Sequence, residues 1–550
     1  MPKPTPPLLK VKPRTAVLVA SGDARRPSNL AGWPAQQALE ADLRKALRSL
    51  GWSLLRAGDG AEHGFIDSQA RGREVFASIP REAPLIVAEA VWQYSHHVLI
   101  GLQHHEGPIL LVSNWSGRWP GLVGLLNLCG SLTKAGVAAS RLWGDDFNDP
   151  EFLRRLRQWT TKGRIKHDLS HVRRFDPEAI PARSRRLART LADDLRRRPA
   201  ILGVFDEGCM GMFNAILPDH LLHAAHVFKE RLSQSQLYAA MRDVPDAEAD
   251  AARAWLDARG MRFVIGPDPA RDLTDDQVRE QLKMYLAAAR LADAFDCDAI
   301  DIQYQLGLAD LTAASDLAEG LLNCSDRPPV ARADGTIIRE GRPIPHFNEV
   351  DEGAGLDALL TTRVWEALGL PPDNTLHDLR WGDADADGRF VWVFEISGAA
   401  PPSHFEGGYA GAISERQPPV YFVRGGGSLK GVSRAGEIVW SRIYVDDDRL
   451  WMDIGRAEAV ALPPEETTRR WNETTPQWPI MHAVLHGVSR DQMMAKHESN
   501  HIQVVYAPDA KTADRALAAK AALAHELGIR VNLCGTAADG TSLRKRLAAL

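Results

Sequence analysis

The chain predicts an α/β protein of several domains whose last third turns to antiparallel β structure. Three observations carry this: near-continuous apolar runs alternate with longer helical segments up to about residue 300, strand-like runs follow one another after about 385, and 550 residues exceed the ~250–300 that one hydrophobic core supports. The runs at 15–20, 84–88, 109–113, 201–205 and 262–266 are apolar throughout, as parallel strands covered on both faces are. Between them, 34–49 and 273–295 have helical periodicity, the second opening with Thr274 three residues before Gln277, a capping-box pattern. After about 385, R-F-V-W-V-F-E-I-S, P-V-Y-F-V-R, E-I-V-W-S-R-I-Y-V and R-L-W-M-D-I read as strands parted by Gly and Asp turns, an antiparallel sheet or barrel. A helix-then-strand unit at 511–534 closes the chain. Composition shifts place boundaries near 172 and 360, giving an N-terminal α/β domain (1–172), a second α/β domain (173–360) and a β-rich C-terminal domain (361–550).

The balance of 66 Lys and Arg against 71 Asp and Glu gives a formal charge of −5, which argues against nucleic acid as a partner. No run reaches the ~18 apolar residues of a spanning helix, and the N-terminal M-P-K-P-T-P-P-L lacks a signal peptide's apolar core, so a cytoplasmic protein without membrane contact is expected. The five cysteines are scattered, without C-x-x-C, and are expected as reduced, buried thiols.

The chemistry lies in carboxylates, one histidine and amides. Glu349, Asp351 and Glu352 crowd four positions, a costly arrangement unless a cation or shared proton offsets the repulsion. Asp378 follows beyond a helical stretch in L-H-D-L-R-W, and His501 opens an apolar strand-like run. Two carboxylates with one imidazole favour manganese or magnesium over zinc. Asp351 and His377 are candidates for supporting the ligands beside them. In 299–306, period two would put Asp301, Gln303 and Gln305 on one strand face, where two amides could bind sugar-like hydroxyls or simply face solvent.

Several patterns imitate sites. Gly353-x-Gly355-x-x-Ala358 copies the dinucleotide fingerprint of an NAD-dependent oxidoreductase, but a pyrophosphate there would meet three acids. Arg424-Gly-Gly-Gly427 resembles a phosphate loop but lacks the G-K-[S/T] ending. His220, His223 and His226 drift around a helix and make a poor chelate, and the arginines of 183–198 read as a solvated helix face.

Six ordered blocks, G-C-M-G-M-F-N-A-I (208–216), I-Q-Y-Q (302–305), N-E-V-D to L-H-D-L-R-W, Y-F-V-R-G-G-G (421–427), D-I-G-R-A-E-A-V-A-L-P (453–463) and M-A-K-H-E-S-N-H (494–501), resemble the L-fucose isomerase family of L-fucose and D-arabinose isomerase-like enzymes. The resemblance implies a three-domain subunit, two Rossmann-like α/β domains followed by a C-terminal domain with an antiparallel β-sheet or barrel. It implies Mn2+, with Mg2+ or Co2+ as substitutes, held by Glu349, Asp378 and His501, the two acids also serving as the acid–base pair of an aldose–ketose isomerisation through a cis-enediol. Gln303, Asn500 and Trp92 match substrate-binding positions, Trp92 reaching a neighbouring subunit's pocket in a homo-oligomer, a hexamer built from trimers; Arg25 or Arg26 matches an arginine near the sugar. Where the family has tyrosine after Arg-Gly-Gly-Gly, this chain has Ser428 and then Lys430, donors suited to an anionic, for example sulfonated, substituent. A sugar-binding homologue without turnover is the non-enzyme alternative.

Overall fold

The computed structural model describes residues 6–58, 62–397 and 399–550, excepting the side chain of Cys209. These form two compact units, one built from the chain up to Leu169 with 211–214 and 491–500, the other from 170–210, 215–490 and His501–Leu550.

The first unit is a doubly wound sheet. Strands β1 (Thr15–Val19), β2 (Ser53–Arg56), β3 (Leu85–Ala88), β4 (Ile109–Asn114) and β5 (Ser140–Gly144) are all parallel, in the order 2-1-3-4-5. The continuous apolar runs are buried because helices cover the sheet: Leu39, Leu43 and Leu47 of the helix Arg26–Ser49 and Leu156 and Trp159 of Pro150–Lys162 share a core with Leu18, Ile86 and Leu110. The first helix starts eight residues before the expected 34, since Pro27 occupies its first turn and Pro34 is accommodated inside it.

The second unit joins a small parallel sheet to a barrel. Strand β6 (Val172–Arg174) leads in; β7 (Ala200–Phe205), β8 (Val227–Leu232) and β10 (Ala299–Ile300) form a parallel sheet in the order 10-7-8, while β9 (Arg262–Phe263) pairs only with β13 (Ile413–Ser414). Strands β11 (Asn374–Ala384), β12 (Phe390–Glu395), β14 (Gly436–Asp446), β15 (Arg449–Ala459), β16 (Ile480–Leu485) and β17 (His501–Ala507) close a six-stranded antiparallel barrel, running β11–β12–β16–β15–β14–β17 and back to β11. The last strand, β18 (Arg530–Cys534), pairs parallel with β15 and carries β6 on its other edge. The β14–β15 hairpin turns on Asp447 and Asp448, both near φ +50°, the primed turn that matches strand twist.

Three expected strands change. The 262–266 run shortens to two residues because Val264 and Ile265 are exposed; P-V-Y-F-V-R at 419–424 is a turn region, with Val423 exposed; and the 299–306 strand ends at Ile300. The predicted capping box is present: Thr274 accepts from Gln277 N–H and the Gln277 side chain returns the bond. Position 360, the expected composition boundary, lies inside the helix Glu352–Ala367, and both sides of it belong to the same unit. Cys129, Cys297, Cys324 and Cys534 are buried free thiols, while the Cys209 side chain is outside the described residues. No helix among the described residues is long and apolar enough to cross a membrane.

One buried cation ties the helix Glu352–Ala367 to the barrel and to the helix Ala510–Glu526. Lys520 donates to Asp357, to the Thr361 hydroxyl at 2.5 Å and to the Ser441 hydroxyl at 2.7 Å, and both members of the ion pair are fully buried. Lys520→Met strands the Asp357 carboxylate and should cost about 3–5 kcal/mol in urea denaturation, with Asp357→Leu added to it restoring part of the loss; a change below about 0.5 kcal/mol would mean the pair contributes little.

Candidate functional site

The barrel register sets up the site. Asp378 on β11 lies directly across from His501 on β17 and from Glu395 on β12, so three polar side chains stand in one row across three strands on the same face of the wall. Glu349 comes from outside the barrel, at the turn Asn348–Val350 that precedes the helix Glu352–Ala367. That turn is strained: Glu349 and Val350 take φ +60° and +56°, a left-handed pair costing about 1–3 kcal/mol per residue, and unusual for a β-branched side chain. Glu349 Oε2 and Asp378 Oδ1 each lie 3.5 Å from His501 Nε2.

Asp351 organises the imidazole. One carboxylate oxygen caps the helix by accepting from Ala354 N–H at 3.0 Å; the other accepts from His501 Nδ1 at 2.7 Å and from the Arg442 guanidinium. With Nδ1–H committed to Asp351, a neutral His501 presents its Nε2 lone pair to Glu349 and Asp378. Burial pushes the Asp351 carboxyl up, but Arg442 and His501 overcome this and hold it below the usual carboxylate range. Burial likewise pushes His501 down, yet its bonds to Asp351 and Glu349 and the field of Asp378 raise it to about 10. The surroundings thus demand a positive charge at Nε2, which a proton or a cation can supply.

Glu395, Arg380, Asp316 and Glu319 extend this buried acidic interior, and the sequence reading missed them. Burial lifts Glu395 to about 7 against the pull of Arg380, whose Nε is 3.6 Å away. Burial lifts Asp316 to about 8 and raises Glu319 well above the carboxylate range, with the charge of Glu349 adding to both. Only a register argument placing Glu395 opposite Asp378 could have singled it out. His377 alternates to the other face of β11 from Asp378, so it does not support the site; Asp351 does.

Gln303 also differs from expectation. It is not on a half-solvated strand face: Asp301 and Gln303 are fully buried, and both Gln303 side-chain atoms lack a hydrogen-bond partner. Ile300 forms a parallel bridge with His346, so the chains leading to Gln303 and Glu349 leave the same point in the same direction. A fully buried amide with four unused hydrogen-bonding positions is costly without a ligand or water.

The other predicted residues stand elsewhere. Ser428 is buried and its hydroxyl donates to the Glu415 carbonyl, while Lys430 pairs with the Glu415 carboxylate at 2.7 Å, so Lys430 already has an anionic partner within the chain. Trp92 and Arg25 belong to the first unit: Trp92 is buried just after β3 with its indole N–H unpartnered, and Arg25 is held in a fork by Asp23. Asn500 is buried at the end of the 491–500 segment of that unit, one residue before His501.

The imitating motifs resolve as packing. A Cβ on Gly353 would meet the Ile443 carbonyl at 2.6 Å and one on Gly355 the Phe347 ring at 2.7 Å, and Asp351 already caps the helix that a pyrophosphate would need. Gly427 exchanges two hydrogen bonds with the Gln281 side chain, so the glycine-rich loop is fastened to a helix. His220 faces Asp448, His223 stacks on Phe228, and the two form no cluster.

Two carboxylates and an imidazole fit a divalent cation in donor chemistry, and with Asp351 and Arg442 offsetting one another the set retains a net negative charge for the ion to neutralise. The 3.5 Å separations lie within twice a metal–ligand bond of about 2.0–2.2 Å. Among the described residues no ready-made group of three or more His, Cys, Asp and Glu side chains that could hold a metal ion is present. No protein-family model matches the chain, and no curated protein matches it significantly.

Because folded His501 holds its proton more tightly than the unfolded chain, the stability it adds to metal-free protein is complete below ~6.5 and lost as the pH rises through about 10. Glu395, Glu352 and Asp316, raised to about 7, 7 and 8, are likewise more stabilising when protonated, so they lose stability over the lower part of that rise. The urea midpoint of chelator-treated protein should therefore fall from pH 6 to 10, and Asp351→Asn should flatten the fall above pH 8 while lowering the His501 pKa seen by NMR. An unchanged slope and pKa in that variant would refute the role of Asp351.

Proposed function

We propose that the chain is a divalent-metal-dependent aldose–ketose isomerase acting on a monosaccharide of the L-fucose or D-arabinose type, as the resemblance to the L-fucose isomerase family implies. The observation that carries this is the convergence of Glu349 and Asp378 on the Nε2 of an imidazole that Asp351 fixes from behind. Glu349, Asp378 and His501 would hold the ion, with Mn2+ as the expected metal and Mg2+ or Co2+ as substitutes. As a Lewis acid it would make the C–H beside a sugar carbonyl more acidic.

The remaining chemistry belongs to the side chains. One of Glu349 and Asp378 takes the proton from C2 as O1 gains one, giving the cis-enediol; the enediol then gains a proton at C1 as its O2 hydroxyl loses its own, so atoms balance and no redox partner is needed. Burial keeps bulk water from competing for these protons, and Arg442 holds Asp351 ionised so that His501 keeps its tautomer. Gln303, with both amide atoms buried and unpartnered, is suited to hold two sugar hydroxyls. Since Lys430 is engaged by Glu415, we assign the site a neutral sugar; an anionic substituent would need another cation. By the same resemblance, the three-domain subunit would assemble into a homo-oligomer, a trimer or hexamer, in which Trp92 of one subunit completes the pocket of another.

Restoring Mn2+ to chelated protein and screening aldoses and ketoses in deuterated water should give isomerisation with solvent deuterium appearing at the carbon next to the carbonyl. Bound metal with no isomerisation or exchange on any sugar would instead favour a binding protein without turnover. Glu349→Gln and Asp378→Asn should each lower kcat by at least ~10³-fold with the circular dichroism spectrum unchanged. Gln303→Leu should raise KM about tenfold or more and leave metal content alone; near-normal KM would remove Gln303 from the sugar site.

A further inference from the structure

Away from the barrel site, the second unit contains an open cavity of about 430 Å3 lined by Trp255, Arg259, Arg327 and Arg339, with Asp326 and Glu340 exposed at its wall. Arg327 is 7% exposed. It donates to the Tyr285 hydroxyl at 3.0 Å and to the Ile338 carbonyl at 2.8 Å, its Nε is buried without a partner, and it forms no ion pair among the described residues. Arg339 is similar: its guanidinium donates to the carbonyls of Asp298 and Cys297 rather than to a carboxylate. Burial disfavours the Arg339 cation; the field of the Asp298 carboxylate favours it, while Arg342 and Arg327 oppose it.

Unneutralised buried guanidinium is costly, and this chain avoids it nearby. In the adjoining cavity, which shares Arg339, Arg332 pairs with Asp293 at 2.6 Å, Arg342 with Glu366 at 2.7 Å and Arg363 with Asp298 at 2.9 Å. In the larger cavity only Arg259 has a carboxylate, that of Asp326 at 3.3 Å. Glu340 contacts neither of the others as an ion pair.

We propose that this cavity binds a phosphoryl group, esterified on a small metabolite or as free phosphate, with Arg327 and Arg339 as its cationic partners. Planar guanidinium forks suit phosphate oxygens, and the volume falls within the ~300–1,000 Å3 of small-molecule sites. The Trp255 ring is already covered by the Arg259 guanidinium 3.3 Å from its centroid and met edge-on by Tyr409, so the phosphoryl group and not an aromatic base is what the cavity recognises. The assignment is independent of the isomerase reading.

Calorimetric titration of the full chain at constant ionic strength with inorganic phosphate, glycerol 3-phosphate and glycerol tests it. Both phosphates should bind saturably and glycerol should not; tighter binding of the ester identifies a phosphorylated metabolite, and equal affinity identifies free phosphate. Arg339→Gln, at a partly exposed loop position that need not disturb folding, should weaken both by about tenfold or more, and Glu340→Gln, which removes a like charge, should tighten them. Absence of saturable binding, or an Arg339→Gln affinity equal to that of the parent, would overturn the proposal; Arg327→Gln serves as a second variant if it folds.

Discussion

The hydrogen bond from His501 Nδ1 to Asp351 is the constraint around which the site is arranged. Asp351 is shared among the N-terminus of the helix Glu352–Ala367, the Arg442 guanidinium of β14 and the imidazole of β17, so one carboxylate fixes the helix to the barrel and the histidine to its tautomer. Removing it would free all three at once. Its burial is costly in isolation; the three donors offset that cost, and they do so only in the folded arrangement.

From that anchor the rest follows by register. A closed barrel has no slack in strand pairing: with β17 placed by its pairing to β11, Asp378 must stand beside His501 and Glu395 beside Asp378. The strained turn at Glu349 and Val350 brings the remaining carboxylate to the same nitrogen. Strain, buried acids and an orphaned amide at Gln303 are each unfavourable for stability alone, and their coincidence is what supports a site built for a ligand.

The elements with strong local signals were readable in the chain. The apolar runs at β1, β3, β4 and β7, the capping box at Thr274 and the long strands β14 and β15 required only periodicity, because burial on both faces or an alternating pattern leaves its mark in composition. The acids Glu349 and Asp378 stood out through charge crowding and a flanked helix. What did not show was anything fixed by contacts distant in sequence: the barrel closure, the part played by Asp351, the pairing of Glu395 with Arg380, and the burial of Asp301 and Gln303 beyond a strand that stops at Ile300. Conversely, 419–424 and 262–266 carry strand-like composition but expose Val423, Val264 and Ile265: the first forms turns, and the second pairs as a strand only over its first two residues.

The proposed site requires that Glu349, Asp378 and His501 share a cation. Crystals of Mn2+-reconstituted protein measured at the manganese absorption edge test it most directly. An anomalous peak between the Glu349 and Asp378 carboxylates and His501 Nε2, absent from Asp378→Asn crystals, is the predicted result. A fully loaded protein whose peak lies elsewhere, with a hydrogen bond from His501 Nε2 to the carboxylates in its place, would contradict it.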